Sequence, residues 1–175
     1  MHNNFPNNFY FINSFKKNNI DKLNNNTGVI YRNYKEKLNI SELIKIKDYC
    51  SKRKIKFFLS NDIKISLNLK LDGVYLPSFN RDFRHLNYNF SQNFIILGSA
   101  HNIKEIRIKE TQNVEYIFLS SLFKKNNNYL GIYKFKKLKK YTSKKVIALG
   151  GISRSNLKMI SLTNCDGFSG ISFFE

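Results

Sequence analysis

Short runs that are apolar almost throughout alternate along this chain with longer, lysine-rich segments in which apolar positions recur every three or four residues. The runs are FYFIN (9–13), GVIYRNY (28–34), IKFFLSN (55–61), DGVYLP (72–77), NFIILGSA (93–100), VEYIFLSS (114–121), KKVIALGGI (144–152) and CDGFSGISFF (165–174). A strand that is apolar at consecutive positions is one covered on both faces, as when helices lie on one side and a barrel interior on the other. The clearest helix is predicted over 41–54, with Ser41 as N-cap and Leu43, Ile44, Ile46 and Cys50 as its apolar stripe. Another is expected over 63–70. A further one begins at His101 or Asn102 and carries Ile103, Ile106 and Ile108. The last starts within 153–156 and turns Leu157, Ile160 and Leu162 inward. Eight strand–helix alternations predict a parallel sheet with right-handed crossovers. With no central reversal, they favour an α/β fold of the (β/α)8 TIM type over a doubly wound sheet. The barrel would be abbreviated, because 79–90 is too broken for a long helix and nothing helical follows the eighth run.

Composition bounds this picture without changing it. An apolar share of 42% over 175 residues suits a single globular domain spanning 1–175, with the Asn tracts at 24–26 and 126–128 as solvated loops. No apolar run approaches the roughly 18–20 residues of a membrane span. The start, MHNNFPNNFYFINSFKK, lacks the plan of a signal peptide. Cys50 and Cys165 stand far apart with no Cys or His cluster near either, which predicts buried, reduced thiols, no zinc site and a cytoplasmic protein.

Charge is the unusual feature: 30 Lys+Arg against 12 Asp+Glu leave +18. Such a surface attracts polyanions. The lysines are nevertheless scattered, Asn is abundant where it adds no charge, and no nucleic-acid-binding motif is present. A basic surface also suits a small phosphorylated substrate, so charge alone decides little; no specific nucleic acid is expected.

In a β/α barrel, ligands bind where the strand C-termini and the loops after them converge. That rule selects Arg32, Asn61, Asp62, Ser99, His101, Ser120, Ser121, Gly150, Gly151 and Ser172, a polar set against apolar strand bodies. Gly150-Gly151 closes strand seven ahead of a helix, so it reads as a phosphate cradle or as a tight turn. Asp62 reads as a Mg²⁺ ligand or as a helix N-cap, the commoner role for Asp in that place. His101 can move protons near neutral pH, or it can simply hold a helix entrance. Arg32 suits bidentate phosphate contact, with a surface cation as the competing account.

In order, SND (60–62), DGVYLP (72–77), LGSAH (97–101), YIFLSSLF (116–123), VIALGGI (146–152) and CDGFSGIS (165–172) resemble the thiamine phosphate synthase family, which includes the TenI-type thiazole tautomerases. The resemblance runs from about Thr27 to the C-terminus. It implies a β/α barrel acting on phosphorylated thiazole and pyrimidine precursors of thiamine. In the synthases, a transferase reaction joins thiazole phosphate to a pyrimidine whose pyrophosphate leaves with Mg²⁺. In the tautomerases, a histidine shuttles a proton on thiazole phosphate without metal. Carried over, Arg32 and His101 are the catalytic candidates. Asn61, Ser99, Gly150, Gly151 and Ser172 are the substrate- and phosphate-binding candidates, and Asp62 is a Mg²⁺ ligand if synthase activity is retained.

The departures from the synthases fall on the pyrophosphate side. Ile30 and Tyr34 stand where synthases have glutamine and lysine, and Asn80 stands where they have a second metal-binding aspartate. Ser120-Ser121 and Lys125–Asn128 replace their glycine-proline and threonine-lysine segments. A TenI-like or reduced member acting on thiazole phosphate is therefore expected. The alternative is a non-catalytic barrel of the same family that binds a phosphate ligand or regulates.

Overall fold

The structure is a computed structural model that describes residues 5–175. The first four residues, part of the span read as one domain and as lacking a signal peptide, lie outside it. Eight strands follow one another around a closed parallel barrel: β1 (Asn8–Ile12), β2 (Thr27–Tyr31), β3 (Phe57–Ser60), β4 (Gly73–Leu76), β5 (Ile95–Ala100), β6 (Tyr116–Ser120), β7 (Lys145–Leu149) and β8 (Gly167–Gly170). Closure comes from β1 lying beside β8, with Asn8 opposite Phe168, Phe9 opposite Ser169 and Tyr10 opposite Gly170. This settles barrel against open sheet.

The interior is filled by large rings. Phe9, Phe11, Ile30, Phe58, Tyr75, Leu97, Tyr116, Phe118 and Ile147 point inward, while the alternate residues Tyr10 and Ile12 of β1 face the helices. Phe118 meets Phe9 at 4.9 Å and Tyr75 at 5.3 Å between ring centroids, both edge to face. Two further apolar clusters lie between the barrel wall and the outer helices, which explains why the strands are apolar on both faces.

The helices are α1 (Lys17–Ile20), α2 (Ile40–Lys52), α3 (Ile63–Asn68), α4 (Ile103–Thr111), α5 (Gly131–Lys139) and α6 (Leu157–Ile160). As the broken pattern of 79–90 predicts, the fourth unit has only a 3₁₀ turn, Arg84–Asn87. After β8 the described chain makes a single turn, in which Phe174 N–H donates to the Ile171 carbonyl at 3.0 Å.

Several details differ from the sequence reading. The N-cap of α2 is Asn39, which accepts from Glu42 N–H at 3.2 Å, so Ser41 lies inside the first turn. Only Leu43, Ile46 and Cys50 of the predicted stripe are buried; Ile44 falls a residue outside that face and is exposed, as is Ile103 on α4. Leu157 and Leu162 are exposed because α6 is a single turn that buries Ile160 alone. β8 ends at Gly170, so Ser172 lies beyond the strand. Cys50 is buried, and burial pushes its thiol up to about 12. Cys165 is only half-buried. No helix among the described residues is long and apolar enough to cross a membrane.

Candidate functional site

The barrel mouth divides into three groups of side chains. The first gathers around Arg32, which directly follows β2. Its backbone N–H donates to the Ile12 carbonyl at 2.7 Å, and its guanidinium carbon lies 4.4 Å above the centre of the Phe11 ring. Stacking of this kind holds the planar guanidinium at the mouth. A cavity of about 220 Å³ adjoins it, lined by Phe11, Ile12, Asn13, Lys16, Ile171 and Glu175. The fully enclosed Tyr75 phenol of β4 neighbours the Ser99 side chain of β5; burial drives its pKa up to about 12, against opposing pulls from Ser99 and Arg32. Arg32 and Ser99 thus share as neighbour a tyrosine that position alone did not single out, although its inward place in the β4 alternation marks it. Tyr34 closes the same side, its hydroxyl 2.6 Å from Ser60 Oγ and its ring edge-on to Phe79 at 5.7 Å.

The second group lies across β5–β7. Asn102 caps α4, accepting from Glu105 N–H at 3.0 Å, and Glu105 in return accepts from His101 N–H at 2.7 Å. That cap fixes the His101 backbone. The ring is fixed by Ser120, since Nδ1 lies 2.8 Å from the Ser120 carbonyl and 3.0 Å from its hydroxyl. A carbonyl can only accept, so Nδ1 carries a proton and the neutral ring presents Nε2 as a bare acceptor. His101 also edges a groove of about 570 Å³ that runs between α4 and α5 over Ile103, Leu130 and Leu138 and is bordered by Lys104, Lys134 and Lys137.

Gly150 and Gly151 occupy the left-handed region, with φ of +102° and +74°. They are pressed against the loop after β6. A β-carbon on Gly150 would stand 2.4 Å from Ser121 Oγ, and one on Gly151 2.5 Å from Lys124 N. The tight-turn requirement is therefore real, whatever else the turn does. The expected helix behind it shrinks to a 3₁₀ turn, Arg154–Asn156, followed by four-residue α6, so a helix-terminus field adds little here. Ser172 is exposed in the turn after β8.

The third group adjoins the first, beside the Ser60 and Phe79 contacts of Tyr34. Asn61 follows β3 in a left-handed conformation (φ +65°), and its side-chain oxygen accepts from Asn80 Nδ2 at 2.8 Å. Asp62 is the N-cap of α3, its Oδ1 accepting from Ile65 N–H at 2.9 Å. Both border a hollow of about 180 Å³, shared with Asn80, Asp82 and Arg84. Asp82 is held by Arg84, with contacts of 2.5–3.0 Å, which lower its carboxyl to about 2.

This donor set does not fit the Mg²⁺ that the family resemblance implies. Asp62 offers one uncommitted carboxylate oxygen, Asn80 supplies no charge, and the amides of Asn61 and Asn80 are bonded to each other. The described residues contain no group of three or more His, Cys, Asp or Glu placed to share an ion. A Mg²⁺ site normally rests on one or two available carboxylates plus substrate oxygens.

Sequence reasoning also missed Lys109. It reaches from α4 across β5, is wholly buried, and donates to the Asn80 carbonyl and to Gln112 Oε1, each at 2.8 Å. Burial lowers its pKa to about 8. The glycine in LGSAH is the signal that could have found it, since a β-carbon at Gly98 would stand 2.8 Å from Lys109 Cδ.

Known proteins agree with this barrel. A sequence family described as thiamine monophosphate synthase matches residues 23–174. Among curated relatives, the thiamine-phosphate synthase of Persephonella marina is 28% identical over 145 residues, covering 81% of this chain and 69% of that protein. That of Methanococcus vannielii is 27% identical over 120 residues, covering 66% of this chain and 58% of its own length. The fold is similar to that of a thiamine phosphate pyrophosphorylase from Pyrococcus furiosus, with a TM-score of 0.79 at 19% identity, covering 97% of this chain and 87% of that one. With the match to the family extending over nearly the whole barrel, the chain belongs to the thiamine monophosphate synthase (TMP-TENI) family.

Proposed function

We propose that this chain acts on a thiazole phosphate in thiamine biosynthesis, as a TenI-like proton-transfer enzyme of its family. The observation that carries the reading is the 2.8 Å contact between His101 Nδ1 and the Ser120 carbonyl, which selects the Nδ1–H tautomer of the neutral ring. With Nδ1–H committed to the Ser120 carbonyl, the neutral ring offers Nε2 as a general base. The base takes a proton from one position of the thiazole phosphate, the electron pair shifts through the ring system, and the imidazolium returns the proton at another position. The Ser120 carbonyl stabilises that imidazolium while it exists. The stacked Arg32 guanidinium serves the bound anion in this reading. The Gly150-Gly151 turn and Ser172 form the phosphate side, and Asn61 and Ser99 complete the polar rim.

Purified protein should isomerise the thiazole phosphate tautomer in an NMR assay, with the rate unchanged by a chelator. His101→Ala should abolish turnover while binding of thiazole phosphate persists, read as a thermal shift. Full activity in that variant would overturn the assignment. The names of the relatives favour a second reading, in which the chain couples thiazole phosphate to a pyrimidine pyrophosphate. That reading predicts pyrophosphate release requiring both precursors and Mg²⁺. Binding of thiazole phosphate without turnover in either assay would instead identify a non-catalytic or regulatory barrel.

A further inference from the structure

The hollow beside β3 and β4 is organised around a buried cation rather than prepared to receive one. Lys109 has no exposed surface, and its stem crosses the outer face of β5 where Gly98 leaves room. Its ammonium bonds the Asn80 carbonyl and Gln112 Oε1, with no carboxylate among its hydrogen-bond partners; the nearby charge that favours it is Glu105, one turn earlier on α4. Gln112, also fully buried, extends the network by donating from Nε2 to Asn80 Oδ1 at 2.9 Å and to the Asp82 carbonyl at 3.0 Å. Asn80 in turn donates to Asn61, the neighbour of Asp62. The other charges at the hollow are Lys64, Asp62, Asp82 and Arg84, with Asp82 already held by Arg84 and Asp62 engaged as a cap. His85 borders it too, one ring nitrogen lying 2.9 Å from the Gln112 carbonyl.

Buried ammonium groups are rare because desolvation disfavours the charge, and those retained are held by oriented dipoles. Here the dipoles are the Asn80 carbonyl, on the loop that borders the hollow, and the side-chain amide of Gln112, which caps the end of α4. A divalent ion bound among Asp62, Asn61 and Asn80 would share that loop with the ammonium and meet its repulsion across a poorly screened interior.

We propose that Lys109 is the resident cation of this corner: it positions the Asn80 loop and supplies the local positive charge, so that the corner works without a divalent ion. The inference goes beyond the proton-transfer reading and does not depend on it, because metal occupancy can be measured with no substrate present.

The test uses Mn²⁺ as the probe, followed by electron paramagnetic resonance on the full chain. Wild-type protein is expected to leave the free-ion spectrum unchanged through the titration, and its thermal midpoint is expected to be the same with Mg²⁺ or EDTA. Stoichiometric Mn²⁺ uptake that disappears in Asp62→Ala would overturn the proposal. Asn80→Asp should bind Mn²⁺ only weakly, whereas Asn80→Asp combined with Lys109→Met should bind it at least about tenfold more tightly. Equal affinity in those two variants, or a folded double variant with no gain, would overturn the role given to Lys109. If circular dichroism shows the methionine version unfolded, Lys109→Gln, which keeps a polar end, replaces it in the comparison. Substrate-binding assays on the wild type fail or succeed independently of these results, so loss of one reading is distinguishable from loss of the other.

Discussion

Removing the buried charge of Lys109 tests the electrostatics of the barrel wall directly. The folded protein holds this ammonium at a pKa of about 8, against 10.5 for an ordinary lysine, because burial penalises the charged form. The unfolded chain therefore binds more protons than the folded chain between those two values, and stability must rise with pH across that window. At 1.36 kcal/mol for each pH unit, the full effect is on the order of 3 kcal/mol, absent below the folded pKa and complete above the unfolded one. Other lysines and tyrosines also titrate there, so wild type is compared with Lys109→Met, which keeps most of the stem packed over Gly98. The variant also removes the Lys109 bonds to the Asn80 carbonyl and Gln112 Oε1, a cost that does not change with pH. Urea unfolding of both proteins between pH 6.5 and 10.5 isolates the titrating part. The wild type should gain about 2–4 kcal/mol relative to the variant as pH rises through that range. Curves that stay parallel within about 0.5 kcal/mol would mean that Lys109 titrates as a hydrated lysine, and the burial argument would fail.

Two further outcomes follow from the site geometry. As a helix cap, Asp62 should tolerate Asn, which accepts the same Ile65 N–H, while Asp62→Ala should cost about 1 kcal/mol in urea unfolding. Equal destabilisation by Asn and Ala would show that the charge, not the cap, is what the position requires. Gly150→Ala forces a β-carbon into Ser121 from a left-handed backbone and should lose about 2 kcal/mol or more, lowering the thermal midpoint by several degrees. An unchanged midpoint would mean that the loop after β6 yields easily.

The barrel was legible because it rests on period and order. Eight apolar runs in sequence, each followed by an amphipathic or turn-rich segment, leave few ways to bury both faces of every strand. Closure through β1 and β8 follows from the absence of a reversal, and the shortened fourth unit is visible in the broken 79–90 pattern. Caps were less legible. Asn39 and Ser41 are both good N-caps, and only the position of the inward face, fixed by Leu43, Ile46 and Cys50, decides between them.

The mouth residues were legible as positions rather than as partnerships. Arg32, Asn61, Ser99 and His101 lie at strand ends as the architecture requires, but their neighbours come from elsewhere in the chain. Arg32 stacks on Phe11, Ser99 neighbours the buried Tyr75 phenol, and His101 takes its tautomer from the Ser120 backbone. None of these pairings has a sequence period. Lys109 marks the limit most clearly. A lysine in the middle of a lysine-rich amphipathic helix reads as solvated surface, and α4 has a weak enough apolar stripe that nothing in its own pattern contradicts that reading. What turns Lys109 inward is an absence of side chain on the neighbouring strand, at Gly98, together with a carbonyl acceptor on a loop 29 residues earlier. A buried cation hydrogen-bonded to no carboxylate is therefore recognisable only when strand, helix and loop are assembled. That assembly is also what separates a corner that carries its own positive charge from one that must borrow it from a metal.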